Sequence, residues 1–327
     1  MRAVCVIGLG LIGGSVLRAA VAAGHTAWGA TASAADALAA EVDGFEVCTV
    51  DEALDRAAVE DALVVIAVPL TAVDAVMRRV GELAPTCLLT DVVSVKGPVA
   101  ESVARYAPSA RFVGGHPMAG TSESGWKAGS AELFRGAAWV VATDNGTAMA
   151  SWRHVAEFAL ACGAHVVPAD AADHDAAVAR ISHLPHVLAA VLASTGADGG
   201  PLALALAAGS FTDGTRVAGS EPELVLAMCE GNRAALLAAV DDALGRLGAA
   251  RGALASTGAL RATVTTGHRA RGTFNAQRDG GRAQVVVDLS SVDALTELRQ
   301  LGAQGGRLTD VDGDRAVADL PVAPKVV

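Results

Sequence analysis

The sequence predicts an α/β fold: a parallel-sheet domain, then an all-helical domain, then a short α+β tail. Three observations carry this. Over the first 168 residues, short apolar runs rich in β-branched residues alternate with stretches of helical spacing. That is the pattern of parallel strands buried on both faces and joined by helical crossovers. Beyond Pro168 the periodicity turns helical. From residue 283 one strand, one helix and two short strand-like pieces follow. The expected parts are 1–168, 169–252, a Gly-, Thr- and Arg-rich linker over 253–282, and a tail over 283–327.

Ala3 to Ile7 is the first buried strand, and Val16 to Ala23 has helical spacing. Between them lies Gly8-Leu9-Gly10-Leu11-Ile12-Gly13-Gly14-Ser15. G-x-G-x-x-G between strand and helix is a Rossmann-type dinucleotide signature. Gly8 makes the tight turn, Gly10 lets the backbone approach a pyrophosphate, and Gly13 lets helix pack on strand. Leu11 and Ile12 open the helix whose free N–H groups face the phosphates. The next strand is expected near Thr26 to Ala30, and it ends in Thr31-Ala32-Ser33. No acid stands there for a ribose 2′-OH, and no arginine for a 2′-phosphate. The reading is NAD with NADP left open, Thr31 and Ser33 being the hydroxyls near the ribose. The strand Ala62 to Val68 is capped by Pro69, and Val68 and Pro69 join the expected cofactor contacts.

Two strand ends then carry polar chemistry. Cys87 to Thr90 leads into Asp91-Val92-Val93-Ser94-Val95-Lys96, and Arg111 to Val113 leads into Gly114-Gly115-His116-Pro117-Met118-Ala119-Gly120. Ligands of such sheets bind outside the carboxyl ends of the strands, so both segments are expected at one crevice. Ser94 is placed to bond the His116 imidazole and set which nitrogen takes a proton. Lys96 is read as orienting backbone and carboxylates rather than as a nucleophile. Trp139 to Ala142 and His165 to Val167 add strands, with a helix over Thr147 to Cys162 between them.

The second part opens with a helix from Asp173 that contains Ile181-Ser182-His183-Leu184-Pro185-His186. Pro185 lacks an N–H and bends it, which suggests that His183 and His186 face a cleft. Their spacing lacks a matching third ligand, so no metal site is expected. Residues 209–220 read as a polar interhelical loop with Arg216 at its centre, a guanidinium suited to a carboxylate. Pro222 to Met228 and Asn232 to Leu247 are helices with Ala and Leu on more than one face, which points to a homodimer built on this part.

Composition narrows the classes. The chain of 327 residues is 52% hydrophobic but 3% aromatic, so Ala, Val and Leu must build the core. A net charge of −10 speaks against a nucleic-acid or anionic-membrane partner. Five cysteines without CxxC spacing read as core residues of a reducing, cytoplasmic compartment. No run reaches the ~20 uninterrupted apolar residues of a membrane span.

Together these segments resemble the prephenate/arogenate dehydrogenase family over residues 1 to about 250. The matching pieces are GLGLIGGS at 8–15, DVVSVK at 91–96, GGHPMAG at 114–120, ISHLPH at 181–186 and FTDGTRVAGSEP at 211–222. The resemblance implies a dinucleotide domain followed by a helical dimerisation domain. It implies oxidative decarboxylation of prephenate to 4-hydroxyphenylpyruvate, or of arogenate to tyrosine. In that reaction His116 takes the ring hydroxyl proton and Ser94 orients it. Arg216 holds the ring carboxylate and His186 lines the pocket, with His183 and Thr121 counted beside it. The sequence departs from the family pattern at Phe211-Thr212-Asp213, which lacks one cation, and at Val225, where a tryptophan is common. The competing readings are a hydroxyacid or imine reductase of the same plan and a non-catalytic dinucleotide sensor. The tail is either a reduced ACT-like module or a packing extension.

Overall fold

The computed structural model describes residues 2–121 and 123–322. The chain forms two compact units, one of residues 1–174 with 280–327 and one of residues 175–279.

The first unit holds two six-stranded sheets. Its strands are β1 (Val4–Ile7), β2 (Ala27–Ala30), β3 (Val47–Cys48), β4 (Leu63–Ile66), β5 (Leu88–Asp91), β6 (Arg111–Val113), β7 (Gly115–Pro117), β8 (Ala138–Ala142), β9 (His165–Ala169), β10 (Arg282–Asp288), β11 (Arg307–Asp312) and β12 (Arg315–Pro321). The first sheet has the order β3-β2-β1-β4-β5-β6 and is parallel throughout. This is the doubly wound dinucleotide-binding order, whose crevice opens between β1 and β4. Val4 and Val6 enter one apolar cluster, Cys5 and Ile7 another. The two-residue period therefore buries both faces, as the unbroken apolar runs demand.

The second sheet corrects the expectation of one continuous parallel sheet. Its order is β10-β12-β11-β9-β8-β7, with only the β8–β9 pair parallel. Gly114, between β6 and β7, breaks the chain from one sheet to the other. The tail is not a separate module either. Leu308 pairs with Val166, so β10–β12 extend the second sheet, and Leu298, Leu308 and Ala316 share a core cluster with Trp139 and Trp152. A β-α-β-β piece this small gains its core by joining a sheet already present. Its last residues, 323–327, lie outside the described residues.

In the second unit the expected linker over 253–282 is largely helical: one helix ends at Ser256 and another spans Arg261–Asp279. The expected loop at 209–220 is also helical, as Gly209–Thr215 followed by a 3₁₀ turn, Arg216–Gly219. Pro185 acts through a π turn over Ala179–His183, where Leu184 N–H bonds the Ala179 carbonyl. The wide turn makes room for a proline that has no N–H to give and whose ring crowds the carbonyl four residues back. The helical stretch Ala171–Asp198 is long and apolar enough on average to cross a membrane, by length and composition only, but Asp173, Asp175 and Arg180 interrupt it, so it is not an uninterrupted apolar run. Leucines 202, 206, 224, 244 and 247 are each more than half exposed, while Leu236 and Ala239 are buried.

The cysteines behave as core residues where they are buried. Burial pushes the Cys87 thiol up to about 11 and Cys162 up to about 12, so neither is a thiolate at neutral pH.

Candidate active site

The glycine loop leaves β1 at Gly8, whose φ of +104° suits glycine. A Cβ on Gly8 would stand 2.4 Å from the Ala67 carbonyl oxygen after β4, and one on Gly13 would stand 1.9 Å from the Gly8 oxygen. These two glycines therefore serve close packing. Gly10 differs: nothing lies within 4 Å of the place a Cβ would take. It is also the N-cap of helix Leu11–Ala22 and offers no side-chain bond to the first turn. The loop thus presents open space in front of helix N–H groups, the requirement of a pyrophosphate. A dinucleotide fits these residues. Val68 Cγ1 lies 3.1 Å from the Gly8 Cβ position, beside the loop, and Pro69 is the N-cap of the next helix. At the end of β2, Thr31 Oγ1 accepts from Ser33 N–H at 3.2 Å and Ser33 Oγ caps helix Ala34–Val42. Each hydroxyl keeps its proton to donate.

His116 lies mid-β7, facing Val140 of β8, and is half-buried. A buried ion pair sets the backbone beside it. Asp91 and Lys96 are 0% and 2% exposed and bond each other. Asp91 also accepts the Gly115 and Val93 N–H groups, each at 3.1 Å, and Lys96 Nζ donates to the Gly115 carbonyl. Both backbone groups of Gly115 are thereby held, one residue before His116. A Cβ on Gly115 would meet the Asp91 carbonyl oxygen at 2.6 Å, so the approach needs glycine. The orienting role read for Lys96 agrees with this geometry. Burial pushes the Asp91 carboxyl up, and Lys96 with the two N–H donors pulls against it.

The expected bond from Ser94 to His116 is not the one formed. His116 Nδ1 meets His174 Nε2 at 2.8 Å, and His174 is 3% exposed. Ser94 is half-buried in the turn after β5. His174 went unnoticed because Asp173-His174-Asp175 reads locally as a solvated helix start, and only the sheet brings it to His116.

The segment after His116 is anchored to the glycine-loop helix. Thr121 is exposed, its Oγ1 accepting from Glu123 N–H at 3.2 Å. Further on, Trp126 is buried against Gly14, where a Cβ would meet the indole at 3.0 Å. The Arg18 guanidinium lies 3.5 Å from the indole centroid, and Asp43 accepts from both Trp126 Nε1 and Arg18. Ser130 N–H bonds Ser15 Oγ at 3.0 Å.

In the second unit, His183 is 1% exposed and lies 3.2 Å, Nδ1 to Nδ2, from Asn232, which is also buried. The ring is thus buried, with Asn232 as one of its partners. His186 is half-buried and donates from Nδ1 to the Ser182 carbonyl at 2.9 Å, which leaves Nε2 as an acceptor. Arg216 is exposed and forms no ion pair among the described residues. Its turn is seated by Phe211, whose ring occupies the space a Cβ on Gly196 would need, at 2.4 Å.

A parallel sheet in this order, with a bare glycine loop at its switch point and a histidine on a nearby strand, defines a dinucleotide-binding protein of dehydrogenase type. Residues 17–168 match the family model of the prephenate dehydrogenase nucleotide-binding domain, and residues 170–259 that of the prephenate dehydrogenase dimerization domain. The chain belongs to the prephenate dehydrogenase family. It is 31% identical to the cyclohexadienyl dehydrogenase of Zymomonas mobilis over 77% of this chain and 88% of that one. It is 32% identical to the prephenate dehydrogenase of Bacillus subtilis over 66% of this chain, and spans 60% of that protein's length. A Corynebacterium glutamicum crystal structure provisionally named a prephenate dehydrogenase superposes with TM-score 0.87 at 44% identity, over 94% of this chain and 98% of that one. An arogenate dehydrogenase from Synechocystis gives TM-score 0.68 at 29% identity, over 85% and 99%.

Proposed function

We propose that this chain catalyses the oxidative decarboxylation of prephenate to 4-hydroxyphenylpyruvate with NAD as hydride acceptor. The observation that carries the reading is His116, held by the Asp91–Lys96 pair in the unit that also holds the open Gly10 loop. Bound at that loop, NAD supplies the hydride acceptor. His116 takes the proton from the ring hydroxyl as hydride leaves the same carbon. The ring ketone so formed loses CO2: the C–C bonding pair moves into the ring, which becomes aromatic, and the ketone oxygen takes back the proton that left it, so no strong electron sink is required of the protein. What the protein supplies is a base, typically ~10²–10⁴-fold in rate, and alignment of the reacting carbon. Ser94, in the turn after β5, and Thr121 stay within this proposal as polar contacts to the ligands, and His186 as a pocket acceptor.

Arg216 holds the ring carboxylate. Because that group must depart as neutral CO2, its pairing with Arg216 cannot be stronger in the transition state than in the ground state, so it contributes to binding and not to kcat. Arg216→Ala should therefore raise KM about 10- to 100-fold, the ~1.5–3 kcal/mol of a charged hydrogen bond, with little change in kcat. A fall in kcat at unchanged KM would remove Arg216 from the binding role.

Arogenate is the second reading, favoured by the missing cation at Thr212 and by the Synechocystis likeness. Purified protein given prephenate or arogenate, each with NAD or NADP, decides between them by the appearance of reduced cofactor. No turnover with either substrate would leave the dinucleotide sensor.

The exposed leucines of the second unit fit a homodimer, since a surface this apolar marks an interaction site. Leu244→Glu with Leu247→Glu would place unpaired carboxylates in the contact, at several kcal/mol each. Sedimentation velocity should show a dimer for the native chain and a monomer for the double variant.

A further inference from the structure

We propose that His174 is a positioning residue: its Nε2 accepts a hydrogen bond from the His116 Nδ1–H and so leaves His116 Nε2 as the atom that takes a proton. The proposal rests on the reading of His116 as the base. The rings meet at 2.8 Å, Nδ1 to Nε2, with 76° between their planes. A contact this short between ring nitrogens needs one proton in it: with none, two lone pairs face each other, and with two, N–H meets N–H. If His174 were the donor, the neutral His116 would carry its proton on Nε2 and have no lone pair for the substrate. If His116 is the donor, the lone pair stands on Nε2, as abstraction requires.

Both rings are held in place. His116 is fixed by its pairing with Val140 and by the Asp91–Lys96 grip on Gly115. His174 sits on helix Ala171–Val178, whose first turn is tied down by Ala171 N–H to Asp144 at 2.9 Å and Asp173 N–H to Asp170 at 2.8 Å. Arg299 reaches Asp170 at 3.8 Å from the tail. Charged groups next to the pair include Lys96 and Asp91, which hold Gly115, and Asp170, Asp173, Asp175 and Arg299 at the helix start. The proton balance is simple. The substrate hydroxyl proton arrives at His116 Nε2, the Nδ1 proton stays where it was, and hydride goes to the dinucleotide. The resulting imidazolium then donates to His174 through a charge-assisted bond, stronger than the neutral one.

The test uses His174→Leu, which removes the acceptor, and His174→Gln, whose amide oxygen can replace it. Substitution of such a supporting partner typically costs about 10- to 100-fold. His174→Leu should lower kcat by that factor at unchanged KM. It should also move the acidic limb of the kcat/KM profile to lower pH, because charged His116 loses its acceptor. His174→Gln should restore most of kcat and the limb. Ring ¹⁵N NMR of the native protein should show His116 protonated on Nδ1 and bare on Nε2. A native-like rate and limb in the Leu variant would overturn the proposal. So would a Gln variant as impaired as Leu at native Tm, or a native spectrum with His116 protonated on Nε2. The spectrum and the Gln variant carry the test if the Leu variant does not fold. Failure of the base reading itself shows separately, as turnover retained by His116→Asn.

Discussion

His116→Asn should abolish turnover, lowering kcat by about 10²–10⁴-fold, while NAD affinity stays at the native value. Asparagine keeps a short polar side chain with an N–H to face His174 but offers no base. His116 lies on β7, whereas the open loop at Gly10 follows β1, so the substitution leaves the dinucleotide contacts in place. Isothermal titration with NAD and single-turnover kinetics separate the two effects. Activity near the native level would remove His116 from the base role and, with it, the chemistry proposed for this site.

Lys96→Met should be the most destabilising single change near the site. It strips the counter-charge from Asp91, which is 0% exposed. Breaking a buried pair in this way costs about 3–5 kcal/mol, or roughly 10–15 °C in Tm for a unit of this size. Turnover should fall as well, since the Gly115 carbonyl loses its donor and the strand under His116 loosens. The pH dependence has a definite sign. In the variant, the buried carboxyl has its folded pKa above the unfolded value of about 3.9. Its protonated form is then favoured by folding, so the deficit shrinks as pH falls toward that value and grows as pH rises through the folded pKa. Thermal melts across pH read this directly. Adding Asp91→Asn to Lys96→Met should recover part of the loss, because no buried charge is then left alone. A Lys96→Met protein that melts with the native one would mean the pair is not a charged anchor.

Much of the nucleotide half was legible in the residues because its signals are local. Gly8 needs a positive φ, Gly13 needs the absence of a Cβ, and Ala62 to Val68 is apolar without a break. Each property belongs to a few consecutive residues and survives any arrangement of the rest. Lys96 was readable as an orienting group for a similar reason, since it follows Asp91 by five residues around a single turn. Gly14 was less so. It looks like one more glycine of the loop, yet its use is to admit Trp126, which lies far along the chain. The helical half was misread where glycine and threonine are dense. Local composition disfavours helix at 209–215, but packing such as that of Phe211 on Gly196 overrides a penalty of about 1 kcal/mol per glycine; 261–279 is helical although it buries none of its side chains.

By itself the sequence determined the doubly wound sheet, the glycine loop after β1 and the turn that carries Ser94; it put His116 at a strand end, whereas the chain folds it into the middle of β7. Tertiary structure alone decided that His174 touches His116, that His183 is buried beside Asn232, and which sheet the tail joins. His174 is 58 residues from His116, and β11 reaches β9 across more than a hundred. Such pairings depend on sheet register and on which strand edges remain open, quantities summed over the whole unit. No window of neighbouring side chains contains them.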